Sequence, residues 1–199
     1  LKSEYDDRLA RVRIEMAARG LDALVIGDPD NINWLTGYDA WSFYTPQMML
    51  VDLNDGPFWM GRLMDAGAAN FTTYLTASQI VPYPEELVQR PDTHPMFHLA
   101  GWMADHGFAS ARIGYESDSY YFSPRALDCL RSGLPGAEFV DADLLVNWQR
   151  VVKSEAEIEM MRGAARIAEA TMQCAFDGAR PGIRPVSYTH LTLPTTMWV

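Results

Sequence analysis

Residues 112–140 read RIGYESDSYYFSPRALDCLRSGLPGAEFV, and this stretch decides the fold class. Residues 112–116 are typical of a short strand, residues 123–131 of a helix, and residues 137–140 of a second strand. The helix begins with a Ser-Pro pair, because serine caps the free N–H groups of a helix and proline fits its first position. Strands that alternate with helices predict an α/β domain.

The preceding sequence extends this alternation. Residues 4–19 place apolar side chains on one face at helical spacing, and Gly20 ends the predicted helix. Further strands are predicted at 23–27, 47–53, 58–62 and 79–83, and a further helix at 96–104. The turn residues 54–57 join two of these strands as a hairpin, which predicts a mixed sheet. We interpret residues 28–31, Asp-Pro-Asp-Asn, as a turn.

Composition and charge restrict the partners. The 199 residues are 48% hydrophobic and 21% charged, as in an average globular domain. Lys and Arg number 16 against 26 Asp and Glu, a formal net charge of −10, which disfavours nucleic acid. No apolar run approaches the ~18 residues of a membrane-spanning helix, and no secretory leader pattern opens the sequence. We therefore expect a cytoplasmic protein with no nucleic-acid or membrane partner.

A domain boundary is predicted near Lys153. Ser154 and Glu157 have the spacing of a capping box, and the helix that follows carries an apolar stripe from Ile158 to Met172. Such a stripe must pack against further structure, so we expect a second domain to begin at 153. Residues 186–199 contain no charged Asp, Glu, Lys or Arg side chain and resemble a translated sequencing-library adapter, so we expect a non-native tail.

The usual catalytic motifs are absent. His94 and His98 are four residues apart, but no glutamate follows His94 as in the HExxH zinc pattern, so they are interpreted as structural. Cys129 and Cys174 form no CxxC motif and are expected to be free thiols. The sequence also lacks a GxSxG elbow, a phosphate-binding glycine loop and a GxGxxG fingerprint.

Residues 31–44, NINWLTGYDAWSFY, are dense in aromatic side chains without a helix or strand period. Rigid apolar rings with polar tips are the material of a small-molecule pocket, a protein interface or a core-lining loop. The candidate binding residues in this stretch are Tyr38, Trp41, Phe43 and Tyr44. Arg62 is a candidate partner for a ligand carboxylate, with a surface salt bridge as its alternative role.

Two segments resemble the creatinase/aminopeptidase-P family of pita-bread hydrolases, namely DNINWLTG at 30–37 and VKSEAEIEMMR at 152–162. Within that family, GYDAWSFY at 37–44, GRLMDA at 61–66, DSYYFS at 118–123 and LVNWQR at 145–150 are similar to the ectoine hydrolases. The resemblance implies a creatinase-type N-terminal domain at 1–152, with a mixed sheet flanked by helices. Residues 153–185 would then be the start of a pita-bread catalytic domain.

The resemblance also implies a homodimer in which residues 41–47 contribute to the partner's active site. Creatinase is expected to use an arginine in this loop, whereas the matching position here is Thr45, which argues against creatine. The catalytic and metal-binding residues of the family lie farther along its C-terminal domain. We therefore assign no catalytic residue, metal ligand or cofactor to these 199 residues and expect them to be inactive alone.

The implied substrate is ectoine, a small zwitterionic cyclic amidine, which hydrolysis would open to an N-acetylated diaminobutyrate. Two further enzymatic alternatives within the family are a Xaa-Pro dipeptidase and a creatinase-like amidinohydrolase. A third alternative, from a different functional class, is a non-catalytic dimerisation or binding module.

Overall fold

The computed structural model describes residues 2–182, 184 and 186. Its strands are β1 (Ala23–Ile26), β2 (Met48–Asp52), β3 (Phe58–Arg62), β4 (Ile80–Tyr83), β5 (Arg112–Tyr115) and β6 (Glu138–Asp141). Its α-helices are α1 (Lys2–Ala18), α2 (Pro29–Thr36), α3 (Ala66–Thr72), α4 (Pro95–Met103), α5 (Pro124–Gly133), α6 (Leu145–Arg150) and α7 (Glu155–Gly178). By contact, the chain divides into two units, 1–151 and 152–199.

The first unit is built on one mixed sheet with the strand order β4-β3-β2-β1-β5-β6. Strand β2 is antiparallel to both β1 and β3, whereas β1 pairs in parallel with β5, β5 with β6, and β3 with β4. The other five strands therefore end at the same edge of the sheet, where β2 begins. The predicted α/β fold with a mixed sheet is confirmed.

Helices cover both faces of this sheet, because alternate side chains of each strand point to opposite sides. Leu24, Ile26 and Val51 pack with buried residues of α1, α2, α3 and α6. Val25 and Leu50 point the other way and pack with buried residues of α4 and α5. Two apolar layers thus fix the strands, and the helices that start at the carboxyl edge are held in defined positions.

The prediction of a turn at residues 28–31 is wrong, because these residues begin α2. The Asp28 carboxylate accepts hydrogen bonds from the backbone N–H groups of Asp30 (2.8 Å) and Asn31 (3.3 Å), and Pro29 occupies the first helical position. Asp28 is therefore an N-cap. The short helices α3 and α6 were also not predicted, since seven and six residues are too few to show a helical period.

In the second unit, α7 begins with the predicted capping box. Ser154 Oγ accepts from the Glu157 N–H at 3.2 Å, and the Glu157 carboxylate accepts from the Ser154 N–H at 2.7 Å. Glu159 and Arg162 form an ion pair one turn along the helix. The predicted non-native tail, residues 186–199, lies outside the described residues except for Val186. Each described helix is too short or too polar to cross a bilayer.

Candidate functional site

A cavity of about 290 Å³ lies at the carboxyl edge of the sheet. Residues that follow β1, β4 and β5 line it, and so does the segment 38–47 that leads into β2. Ligands of open α/β sheets bind outside the carboxyl ends of the strands, because the connecting loops converge there. The volume is close to the lower end of roughly 300–1,000 Å³ for ligand pockets, so the cavity suits a compact molecule.

The aromatic stretch supplies one wall of this cavity. Tyr38, Trp41, Phe43 and Tyr44 all line it, so the structure brings these four predicted residues together. Tyr38 is buried, whereas 51% of Trp41 and 68% of Phe43 are exposed. The rings of Trp41 and Phe43 meet edge to face at 6.2 Å between centroids. The wall therefore consists of one fixed ring at its base and accessible rings at its mouth.

Gly37 turns the chain from α2 into this wall. Its φ is +79°, and its N–H donates to the Asn33 carbonyl at 2.7 Å, which closes the helix. A Cβ at this position would lie 2.8 Å from the Tyr5 hydroxyl. Glycine is therefore required both by its backbone conformation and by the approach of α1.

Gln47 fixes the other end of the aromatic segment. Its Nε2 donates to the Tyr38 hydroxyl and to the Asp65 carboxylate, both at 2.9 Å. Its side-chain oxygen Oε1 accepts from the Ser42 N–H at 3.0 Å. The Tyr38 hydroxyl in turn donates to the Ala40 carbonyl at 2.6 Å. Burial, with a smaller effect of Asp65, raises the pKa of Tyr38, so its hydroxyl stays protonated. The segment is thus held in shape before a ligand binds.

Arg62 lies beside the wall and does not line the cavity. Its Nη2 donates to the Asp65 carboxylate at 2.8 Å, and its Nε lies 3.9 Å from the Glu85 carboxylate. The hydrogen bond to Asp65 raises the pKa of Arg62. Its Nη1 donates to the Tyr44 hydroxyl at 3.3 Å, and its Cζ lies 5.7 Å from the centre of the Tyr44 ring. This geometry makes Arg62 a support for Tyr44.

Further residues of the lining were not assigned to a binding site from the sequence, where His94 was interpreted as structural. Arg90 and His94 follow β4, while Tyr121 and Arg125 follow β5, and all four line the cavity. The Tyr121 ring lies edge to face with Trp41 at 5.5 Å, which joins these residues to the aromatic wall. Tyr121 belongs to the DSYYFS segment, so its resemblance to the family was the signal that could have identified it. No local pattern links the three basic side chains, because they come from two segments far apart in the sequence.

The residues that could bind a metal are dispersed. Among residues 2–182, 184 and 186, no three His, Cys, Asp or Glu side chains come together as a possible metal site. His94 is the N-cap of α4, with its Nδ1 accepting from the Met96 N–H at 3.1 Å. Cys129 is buried and has a free thiol, and Cys174 is exposed. We therefore assign no metal ligand to the described residues.

Sequence comparisons place the chain among known proteins. Residues 8–152 match the sequence model of the family described as "Creatinase/Prolidase N-terminal domain". The chain is 47% identical over 183 residues to an ectoine hydrolase of Halomonas elongata, which covers 92% of the chain and 46% of that protein. It is 43% identical to the "uncharacterized hydrolase/peptidase y4tM" of Sinorhizobium fredii, and the match covers 92% of this chain and 47% of that protein. The chain thus spans about half the length of these relatives.

Solved structures share the fold. A Xaa-Pro dipeptidase from Bacillus anthracis superimposes with a TM-score of 0.74 at 16% identity, covering 94% of this chain and 47% of that one. The N-terminal domain of the peptidase PepQ from Mycobacterium tuberculosis gives a TM-score of 0.55 at 23% identity, and the match covers 72% of this chain and 98% of that one. These likenesses establish the architecture, and the identities are too low to indicate a substrate.

Proposed function

The chain belongs to the family of creatinase and prolidase N-terminal domains, and on this premise we propose that it is the N-terminal, substrate-contacting part of an ectoine hydrolase. The observation that carries the proposal is the aromatic-walled cavity of about 290 Å³ in a chain that is 47% identical to an ectoine hydrolase. Because the chain spans about half of that relative, the activity is proposed for the protein encoded by the complete gene.

The proposed reaction opens the ring of ectoine by hydrolysis. Water adds to the amidine carbon, one ring C–N bond breaks, and the released nitrogen takes up a proton. The product is an N-acetylated diaminobutyrate, so ectoine and one water account for all its atoms. We assign no residue of this chain to the bond-breaking step or to a metal ion.

The role proposed for this chain is to bind and orient the substrate. The ring is compact and carries a planar, positively charged amidinium group, and aromatic faces attract such cations by about 0.5–2 kcal/mol. Trp41, Phe43 and Tyr44 present accessible rings at the cavity mouth, and Tyr38 closes its base. Arg62 contributes through Tyr44, whose hydroxyl and ring it contacts.

The proposal includes a homodimer in the cytoplasm, in which residues 41–47 also face the partner's active site. Sedimentation of the protein encoded by the complete gene tests the oligomeric state, and a dimer is expected. A monomer that hydrolyses ectoine would contradict the dimer and leave the substrate assignment in place.

The substrate is tested by incubating the protein encoded by the complete gene with ectoine, creatine and the dipeptide Ala-Pro. Proton NMR is expected to show ectoine converted to an N-acetylated diaminobutyrate, with creatine and Ala-Pro unchanged. Cleavage of Ala-Pro alone would establish a Xaa-Pro dipeptidase and overturn the proposal. Ectoine binding without turnover of any of the three would instead indicate a non-catalytic binding module.

A further inference from the structure

The cavity differs in charge from the rest of the chain. The chain as a whole carries −10, yet of the described residues that line the cavity, none is Asp or Glu and two are arginines. Arg90 is neutralised, because its Nε and Nη2 donate to the two carboxylate oxygens of Asp92 at 3.0 and 3.1 Å. Arg125 is the arginine whose charge is left for a ligand.

Backbone carbonyls hold the Arg125 side chain in place. Its Nη2 donates to the carbonyls of Pro91 at 3.1 Å and Thr93 at 3.2 Å. Within the described part of the chain, no carboxylate lies within ion-pair distance of this guanidinium. Carbonyl oxygens orient a guanidinium without cancelling its charge, and its remaining N–H groups can still bind a carboxylate in the planar, forked geometry that favours arginine.

His94 offers a second donor on the same wall. Its Nδ1 accepts from the Met96 N–H, so the proton of the neutral ring lies on Nε2. Burial and the nearby charge of Arg125 lower the pKa of His94, which keeps the ring neutral. The helices α4 and α5 also begin at this wall, with His94 and Ser123 as their N-caps, and the positive ends of their dipoles add to the field.

We propose that Arg125 and the Nε2–H of His94 form a carboxylate-binding subsite in the cavity that Trp41 and Tyr44 also line. A zwitterion would place its carboxylate on the basic wall and its cationic ring on the aromatic wall. The identity of the ligand rests on the proposed function, whereas the preference for an anionic group follows from the charge of the cavity lining. Arg125 therefore takes the role that the sequence suggested for Arg62.

The test compares each acid with its neutral carboxamide. Isothermal titration of the 199-residue chain uses ectoine, ectoine carboxamide, Ala-Pro and Ala-Pro amide. The wild-type chain is expected to prefer ectoine to its carboxamide by about tenfold or more, as a charged hydrogen-bonded pair requires. Arg125→Gln is expected to lose this preference and Arg125→Lys to keep part of it. The matched control Arg131→Gln, exposed at the other end of α5, should retain it in full.

The outcomes distinguish a failure of the proposed subsite from a failure of the substrate assignment. Any of three results overturns the subsite: equal binding of acid and carboxamide by the wild-type chain, an unchanged preference in Arg125→Gln, or no binding of either acid. An Arg125-dependent preference for Ala-Pro over its amide, without ectoine binding, supports the subsite and overturns ectoine as the substrate. Circular dichroism of Arg125→Gln should match the wild type, and Arg125→Lys provides the second variant if it does not.

Discussion

Asn31 Nδ2 donates to Glu116 Oε1 at 2.6 Å, although the two residues are 85 positions apart. The other carboxylate oxygen of Glu116 accepts from the backbone N–H groups of Gly27 and Asp28, both at 2.8 Å. A carboxylate that follows β5 thereby ties down the chain where it leaves β1. Because Gly27 lines the cavity, this bond network fixes that part of the candidate site.

Asn31 also connects α2 to α6. Its Nδ2 donates to Asn147 Oδ1 at 2.9 Å, and its Oδ1 accepts from Arg150 Nη1 at 2.6 Å. Two of the segments that resemble the family, at 30–37 and 145–150, therefore meet through their polar side chains. Their polar residues have a structural role here, which accounts for an asparagine that is fully buried.

Asn31→Ala is expected to lower the free energy of unfolding by about 2–4 kcal/mol. The change leaves the buried Glu116 carboxylate with one donor fewer and Arg150 without its amide acceptor, and unsatisfied buried polar groups carry penalties of this size. Urea titration followed by circular dichroism measures the loss. The control Asn70→Ala removes an exposed side chain that bonds only within α3 and should cost less than about 0.5 kcal/mol. Equal losses would show that the network adds no stability.

Stability is expected to fall as the pH rises from 5 to 8, and Glu116 is the cause. Burial raises the pKa of Glu116 from 4.5 to about 7, despite three hydrogen bonds that favour ionisation. The folded chain therefore binds a proton that the unfolded chain has already lost, and the resulting stabilisation, present at low pH, disappears as the pH passes 7. The full effect is on the order of 3 kcal/mol.

Urea titrations at several pH values check this dependence, with Glu116→Gln as the comparison. The glutamine variant cannot titrate at this position and should give a flatter profile, whatever its absolute stability. The raised pKa of Asp52 contributes a slope of the same sign and the lowered pKa of His94 one of the opposite sign, and because both remain in the variant, the difference between the two profiles isolates Glu116. Identical slopes for the two proteins would exclude Glu116 as the cause.

The fold could be predicted where the sequence shows a hydrophobic period together with a recognisable helix N-cap. Ser123-Pro124 identified α5 correctly because an amphipathic pattern follows it, whereas the same type of start at Asp28-Pro29 was interpreted as a turn. Helix α2 spans only eight residues, most of them buried, so it has no polar face to show a period. The network around Asn31 could not be predicted because its partners lie far along the chain.

The candidate site, too, could be predicted from the sequence only in part. Its aromatic wall is one continuous segment, so composition alone identified Tyr38 and Trp41. The basic wall arises only when the ends of β4 and β5 meet at one edge, which brings His94 and Arg125 together. Arg62 pairs with Asp65 instead of a ligand carboxylate. Asp65 is only three residues away, so the sequence already contains this competing partner.

Arg62→Met is expected to weaken ectoine binding by about three- to tenfold while preserving the preference for ectoine over its carboxamide. The variant frees the Tyr44 ring by removing one hydrogen bond and one cation–ring contact, each of modest strength. Isothermal titration with both ligands measures the two effects. The control Arg19→Gln removes a surface ion pair at the end of α1 and should change neither. Loss of the acid preference in Arg62→Met would mean that Arg62 contacts the carboxylate itself.

Trp41→Ala is expected to weaken ectoine binding by about five- to thirtyfold, because it removes the ring that spans the cavity between Phe43 and Tyr121. Trp41→Phe keeps an aromatic face and should recover part of the loss, which separates a contact with the cation from the simple filling of space. Phe71→Ala is the control, since that ring is 92% exposed on α3 and does not line the cavity. If the phenylalanine variant binds as weakly as the alanine variant, the indole itself is required. If all three variants bind like the wild type, the ligand does not use the aromatic wall.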